Sequence, residues 1–309
     1  MSNEVLITQK LLQSCEDAID AGYTTHRLYE QSDKDAFLKE VGPRIRACAG
    51  GDVGADLMDK LPNLEMVSNF GVGYDSIDTD EAKKRNIRVT NTPSVLNDAM
   101  AEITIGLMIS LSRRLPQADR YVRDGKWPSS AYPLQNELTG KTVGIVGLGR
   151  IGKEIADRCI AMKMRVIYFG RNQQPNLPFI YYDNLAEMAR DTDWLVVITP
   201  GGEGTNKIVN REVLEALGPE GNVVNVARGT VIDEPVMVEM LQSGKLGGAA
   251  LDVFEKEPEV PEALFALDNV VLSPHQGSAT HQTRYAMGAL VIANLDAHFA
   301  GDPLITPVV

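Results

Sequence analysis

At 309 residues the chain is near the size where one core stops growing and two domains become the expected arrangement. A hydrophobic fraction of 44% with 23% charged residues reads as globular, and a net charge of −12 excludes nonspecific attraction to nucleic acid or an anionic membrane, while leaving room for a local site that takes an anionic substrate. The start, Met1-Ser-Asn-Glu-Val5, shows no secretory pattern, the apolar run Ile103 to Leu111 is too short to span a bilayer, and Cys15, Cys48 and Cys159 form no disulfide framework, so a reducing cytoplasm is expected.

Strand-like and helix-like runs alternate along the chain, which predicts an α/β fold with parallel sheets. In the first part Val5–Ile7, Ile45–Ala49, Leu64–Val67 and Ile87–Val89 read as strands, with helices over Lys34–Val41 and Ile77–Arg85 between them. This is a doubly wound unit in its own right. From Val95 to Arg114 the residues Leu96, Ala99, Met100, Ile103 and Leu107 recur at helical spacing, predicting a long helix that links two domains. The segment Pro116 to Asn136, with Trp127, Tyr132 and three prolines, breaks the alternation. It reads as an arm that embraces a partner subunit, or else as a surface loop packed on its own domain. A second set of strands follows at Val143–Val146, Val166–Phe169, Trp194–Ile198, Val223–Val226, Gly248–Leu251 and Val270–Leu272. A second long helix, Thr280 to Phe299, is stopped by Gly301 and Pro303, and the strand-like tail Leu304–Val309 is expected to return to the first domain. Two such crossings imply a hinge with a cleft.

The strand at Val143–Val146 runs into Gly147-x-Gly149-x-x-Gly152 and then a helical segment carrying Ile151, Ile155, Ala156, Cys159 and Ile160. One glycine makes a tight turn, one lets backbone approach a pyrophosphate, and one lets the helix pack on its strand, so this context points to a dinucleotide. An NAD site wants an acid about twenty residues on, at the end of the next strand. Here Arg165-Val-Ile-Tyr-Phe169 ends in Gly170-Arg171-Asn172, with no acid. Glycine leaves space, and the adjacent guanidinium suits a 2′-phosphate, which predicts NADP(H); the alternative is an ordinary exposed loop arginine.

Three stretches at the ends of late strands hold the candidates for chemistry. In Asn225-Val-Ala-Arg-Gly-Thr-Val-Ile-Asp233, Arg228 follows a buried strand and must point into a polar cleft, where its fork suits the carboxylate and carbonyl of a 2-keto acid. The others are Ala250-Leu-Asp-Val-Phe-Glu-Lys-Glu-Pro258 and Leu272-Ser-Pro-His-Gln-Gly-Ser-Ala-Thr280. His275 follows a proline at a strand end, and imidazolium is the side chain suited to giving a proton to a ketone as hydride arrives. A carboxylate on its other ring nitrogen would fix the tautomer and favour the charged form.

Together with Gly71-Val-Gly-Tyr-Asp-Ser-Ile-Asp78, Asn91-Thr-Pro-Ser94, Ala101-Glu-Ile-Thr104, Val226-Ala-Arg-Gly229, Leu251-Asp-Val-Phe-Glu255, Glu257-Pro258 and Pro274-His275, these motifs make the chain resemble the D-isomer-specific 2-hydroxyacid dehydrogenases over nearly its whole length. It is most similar to the NADPH-using glyoxylate and hydroxypyruvate reductases, chiefly through Gly170-Arg171-Asn172. The resemblance implies a Rossmann-type nucleotide domain, residues 96–284, inserted in a flavodoxin-like substrate domain, residues 1–95 completed by 285–309. It implies His275 as acid/base, Glu257 rather than Glu255 as its partner, and Arg228 as the residue that binds substrate and polarises its carbonyl. Backbone amides of Val72 and Gly73 would hold the substrate carboxylate, with Arg228 and His275 completing the substrate site.

The cofactor would lie along Gly147, Leu148, Gly149, Arg150, Ile151 and Gly152, then Gly170, Arg171, Asn172, Thr199, Pro200 and Thr205. Val226, Ala227, Arg228, His275 and Gly277 would close it, with Asp252 and Thr104 facing the nicotinamide carboxamide. No metal and no nucleic acid or membrane partner is expected. A homodimer is. The sequence departs from the pattern at Gln276, where an apolar residue is common, and in Tyr74 and Phe70 beside the carboxylate loop. The partner-chain tryptophan of some glyoxylate reductases does not align with Trp127; Ser129 or Ser130 stands there. The expected reaction is reduction of glyoxylate or hydroxypyruvate. A reductase of bulkier acids such as phenylpyruvate or hydroxyphenylpyruvate, and a non-catalytic NADP(H)-sensing scaffold, stay open.

Overall fold

The computed structural model describes residues 3–309, which divide into two compact units, one made of residues up to Leu96 with Thr280–Val309 and the other of Asn97–Ala279. In the first unit the chain runs β1 (Glu4–Ile7), α1 (Gln13–Gly22), β2 (Thr24–Arg27), α2 (Lys34–Val41), β3 (Ile45–Ala49), α3 (Ala55–Asp59), β4 (Met66–Ser68), α4 (Thr79–Lys84) and β5 (Arg88–Thr90). All pairings are parallel, in the order β2-β1-β3-β4-β5 that flavodoxin-like sheets adopt. Helices cover both faces, so Val5, Leu6, Ile7, Ile45, Ala47, Met66 and Val67 are fully buried. Asp33 and Asp78 start α2 and α4 by accepting the amides of Ala36 and Glu81.

The second unit comprises α5 (Asn97–Ser112), α6 (Leu115–Arg123), β6 (Thr142–Val146), α7 (Arg150–Ala161), β7 (Arg165–Phe169), β8 (Ile180–Tyr182), α8 (Leu185–Arg190), β9 (Trp194–Val197), α9 (Arg211–Leu217), β10 (Asn222–Asn225), α10 (Glu234–Gln242), β11 (Gly248–Leu251) and β12 (Val270–Leu272). Its seven parallel strands lie in the order β12-β11-β10-β9-β6-β7-β8. The winding reverses between β6 and β9, and ligands of such sheets sit outside the strand carboxyl ends at that reversal. The expected α/β class, with one Rossmann-type and one flavodoxin-like parallel sheet, is borne out.

The last helix, α11 (His281–Ala300), belongs to the first unit. Thr280 caps its start and Gly301, at φ +78°, ends it. The Ser68 hydroxyl donates to the Val291 carbonyl, and α11 lies so close to α1 that a Cβ at Gly288 would stand 3.0 Å from Cys15. The tail then returns along β5, as its pattern suggests. The amide of Val89 donates to the Val309 carbonyl, that of Val308 donates back to Val89, and the fully buried Asn294 accepts the amides of Ile305 and Thr306.

Some elements escaped the sequence reading. Thr24-Thr-His-Arg27 has no apolar residue to announce β2, and α1 carries the buried Glu16 on its inner face, where it accepts from Arg27 and Tyr29. The strand expected at Leu64–Val67 forms two residues later, over Met66–Ser68. The segment from Pro116 to Asn136 is not loop throughout: α6 occupies Leu115–Arg123, with Pro116 in its first turn, where a missing N–H costs nothing.

All three cysteines are unpaired and buried, and burial pushes the thiol of Cys15 up to about 11 and those of Cys48 and Cys159 up to about 12. A thiol-specific alkylating reagent at pH 8 should therefore label none of them in the native protein and all of them after denaturation. Rapid native labelling of any one would contradict this burial.

Candidate active site

Strands β10, β11 and β12 are neighbours, and their last residues are in register, Asn225 beside Leu251 and Leu251 beside Leu272. Arg228, Glu257 and His275 follow from these three adjacent carboxyl ends. Asn225, almost fully buried, shapes the first turn: its Oδ1 accepts the amide of Ala227 and its Nδ2 donates to the Arg228 carbonyl. The loops after β10 and β11 touch at Gly229, where an added Cβ would lie 1.9 Å from the carbonyl carbon of Phe254. Only glycine fits there, and that contact fixes the Arg228 turn against the segment that carries Glu257.

Glu257 is anchored by its Oε1, which accepts the amide of Phe254 at 3.0 Å, and its Oε2 lies 2.6 Å from Nδ1 of His275. The histidine side chain is 49% exposed, within reach of a ligand. Its backbone has φ +48°, the left-handed region that a non-glycine residue adopts only when its surroundings insist. Asp252 supplies that insistence. This carboxyl, 1% exposed, accepts the Ser273 hydroxyl (2.6 Å) and the Gln276 amide (2.9 Å) on Oδ1 and the Gly277 amide (2.8 Å) on Oδ2. Its backbone carbonyl accepts the His275 amide as well. The resemblance implies that Asp252 faces the nicotinamide carboxamide; in the structure both its oxygens hold the 273–277 segment. The nearby Glu234, buried and accepting the Glu255 amide, has its pKa raised by desolvation.

The glycine fingerprint lies at the end of β6 as a set of three distinct solutions. Gly147 has φ +100°, and a Cβ there would meet the Thr199 backbone at 3.0 Å. Gly152 lets α7 approach so closely that its Cβ would fall 2.4 Å from the Gly147 carbonyl oxygen. Around Gly149 nothing stands within 4 Å. The twelve-residue α7 begins without a side-chain cap, so its first amides are unspent and its positive dipole end is open to a pyrophosphate. Gly170 also opens on free space, and Arg171 and Asn172 are exposed; Arg171 makes no ion pair among the described residues. These features fit an NADP(H) dinucleotide with a 2′-phosphate. Gln174 reaches back from the same segment to donate to the Leu148 carbonyl, and its amide donates to the hydroxyl of the buried Tyr168.

Other expected residues fall as follows. Leu148, Val226 and Ala227 are buried, Arg150 is exposed and Ile151 is half-buried. The Thr205 hydroxyl donates to the Pro200 carbonyl, closing the turn after β9. Thr104 is fully buried on α5, its hydroxyl donating to the Met100 carbonyl. Val72 and Gly73, half-buried, belong to the first unit. Sequence reasoning missed Asn225 and Gln174 as supports of these turns, and in the first unit it missed Arg284. The last is a half-buried guanidinium of α11 lying 5.5 Å from the Phe70 ring, its pKa lowered by desolvation. Its only signal in the sequence was a cation in the first turn of a helix, where the dipole disfavours one.

Residues 105–277 match the family model "D-isomer specific 2-hydroxyacid dehydrogenase, NAD binding domain". The chain belongs to the D-isomer specific 2-hydroxyacid dehydrogenases. It is 47% identical over 297 residues to a hydroxyphenylpyruvate reductase of Plectranthus scutellarioides, covering 95% of each chain. It is 46% identical over 308 residues to glyoxylate/hydroxypyruvate reductase A of Arabidopsis thaliana, covering 99% of this chain and 98% of that one. Among solved structures, an NADPH-dependent glyoxylate/hydroxypyruvate reductase of Sinorhizobium meliloti, in complex with NADP and malonate, superposes with a TM-score of 0.95 at 43% identity, covering 100% of this dehydrogenase and 97% of that chain.

For this dehydrogenase, Gly229→Ala should lower unfolding free energy by about 2 kcal/mol or more, since a methyl group there must displace the backbone of the neighbouring loop. Chemical denaturation would measure it, with turnover falling further than stability alone explains. A neutral substitution would mean that the two loops do not brace each other.

Proposed function

We propose that this dehydrogenase is an NADP(H)-dependent reductase of small 2-keto acids, glyoxylate and hydroxypyruvate, that yields D-2-hydroxy acids. The observation that carries the reading is the His275–Glu257 pair at 2.6 Å, formed beyond the ends of β12 and β11, the latter the neighbour of β10, which leads to Arg228. Bound NADPH supplies the hydride. His275, with Nδ1 engaged by Glu257, keeps Nε2 for the proton given to the substrate oxygen, and the carboxylate of Glu257 stabilises the imidazolium. Arg228 holds the substrate carboxylate and polarises the carbonyl, and the amides of Val72 and Gly73 bind the same carboxylate. Arg171 pairs with the adenosine 2′-phosphate. A second reading, reduction of hydroxyphenylpyruvate, is favoured by the plant relative of that name at 47% identity.

Among the described residues no helix is long and apolar enough to cross a membrane. We assign the enzyme to the cytoplasm on the strength of its unpaired cysteines, which cell fractionation would check. A homodimer is also proposed. Helix α6 buries none of its residues, and Leu115, Val122, Trp127 and Leu134 on and after it are exposed. Sedimentation should show a dimer that Val122→Asp with Trp127→Asp converts to monomer; a wild-type monomer would end this reading.

Loss of nicotinamide absorbance, compared for NADPH and NADH with glyoxylate, hydroxypyruvate, pyruvate and hydroxyphenylpyruvate, tests the assignment directly. Fast turnover of the two- and three-carbon acids with NADPH is expected; activity confined to the aromatic acid selects the second reading. His275→Ala should lower kcat by about a hundredfold or more with NADPH affinity intact. Arg171→Ala should raise the KM for NADPH about tenfold and leave that for NADH alone; equal effects on both would remove the 2′-phosphate role.

A further inference from the structure

We propose that Asn69 and Asn91 are positioning residues that hold the Gly71–Val72–Gly73 loop with its amides presented to the substrate carboxylate. The inference rests on the reading that Val72 and Gly73 bind that group, and it says what gives them the orientation to do so. Three consecutive carbonyls of this loop are engaged. Asn69 Nδ2 donates to the carbonyls of Gly71 (3.0 Å) and Gly73 (2.8 Å), Asn91 Nδ2 donates to that of Val72 (2.9 Å), and the Thr92 amide donates to Gly71 as well (2.9 Å).

A trans peptide is planar, so the C=O of one residue and the N–H of the next point to opposite sides. Fixing the carbonyls of Gly71, Val72 and Gly73 therefore turns the N–H groups of Val72, Gly73 and Tyr74 the other way. Among the described residues none of these three amides donates to a protein acceptor. Successive unspent N–H groups on a glycine-flanked turn form a concavity that selects an anion. Glycine on both sides makes the same peptides easy to rotate, and a rotated Val72 carbonyl would face the carboxylate with negative charge. The two asparagines remove that freedom.

The residue type matters. A carbonyl needs a donor, and aspartate would offer an acceptor and a charge that repels the incoming acid. Asn69, 4% exposed, makes both of its Nδ2 bonds to this loop. The side chain of Asn91 bonds Val72, while its backbone is held separately by Thr306, whose carbonyl accepts the Asn91 amide and whose hydroxyl donates to the Asn91 carbonyl. Truncating the Asn91 side chain therefore removes the loop contact and leaves the surrounding backbone supported.

The test measures steady-state kinetics with glyoxylate and hydroxypyruvate at saturating NADPH for wild type, Asn91→Ala and Asn69→Ala. Inhibition by oxalate, a carboxylate that accepts no hydride, and the melting temperature are followed alongside. Asn91→Ala should raise the KM for both acids and the inhibition constant of oxalate about tenfold, with kcat within about threefold of wild type and NADPH affinity unchanged. A purely structural asparagine would lower stability without this selective loss. If Asn69→Ala does not fold, Asn91→Ala decides alone. Wild-type turnover with unchanged KM and oxalate inhibition in folded Asn91→Ala overturns the inference and leaves the proposed function standing. A wild-type enzyme silent on both acids overturns the reading beneath it and the inference with it.

Discussion

One buried carboxyl carries the geometry of the segment that presents His275. Asp252 takes three donors from residues 273–277 on its side chain and the His275 amide on its backbone. A left-handed histidine costs on the order of 1 kcal/mol, a strain that persists only where neighbours over-determine the conformation. Charge-assisted hydrogen bonds to a buried carboxylate are strong enough to hold it. The imidazole is thereby aimed at Glu257, and in the proposed role a proton donor that needs no reorganisation spares the reaction that cost.

The rest of the site follows the same economy of rigid supports. Arg228, Glu257 and His275 each stand a few residues beyond a strand end, and the ends are locked in register by the sheet. The glycines act by permitting approach, Gly229 between two loops and Gly152 between helix and strand. In a protein of net charge −12, the second unit sets two cations just beyond strand ends, Arg171 after β7 and Arg228 after β10, where the proposed anionic ligands would be met. Local field and global charge are thus opposed, which favours an anionic ligand at the site over anions elsewhere on the surface.

Much of this was legible in the sequence because it obeys short-range rules. Buried parallel strands are runs of valine and isoleucine, and the dinucleotide loop has a fixed glycine spacing, so both sheets and the β6–α7 turn could be read directly. Arg228 and His275 showed themselves as polar residues at the ends of apolar runs. The choice of Glu257 over Glu255 came only from family resemblance, because no periodicity says which carboxyl meets a ring eighteen residues away. β2 was invisible because its residues are polar and it forms a sheet edge. Asp252 as a brace, and Asn69, Asn91 and Asn225 as hydrogen-bond donors to turns, depend on tertiary proximity that one-dimensional pattern does not encode.

The return of residues 281–309 to the first unit has a consequence for biogenesis. The second unit is continuous, from Asn97 to Ala279, and has all its strands once that stretch has left the ribosome. The first unit has its five strands early but lacks α11 and the tail along β5 until synthesis has passed Val309. Its nascent sheet must wait with the α11-facing side of β4 and α1 uncovered, an interval in which apolar surface is open to chaperones and to aggregation. Cys15, Ser68 and Asn294 mark where that vectorial delay ends, when a helix made later closes over strands made earlier.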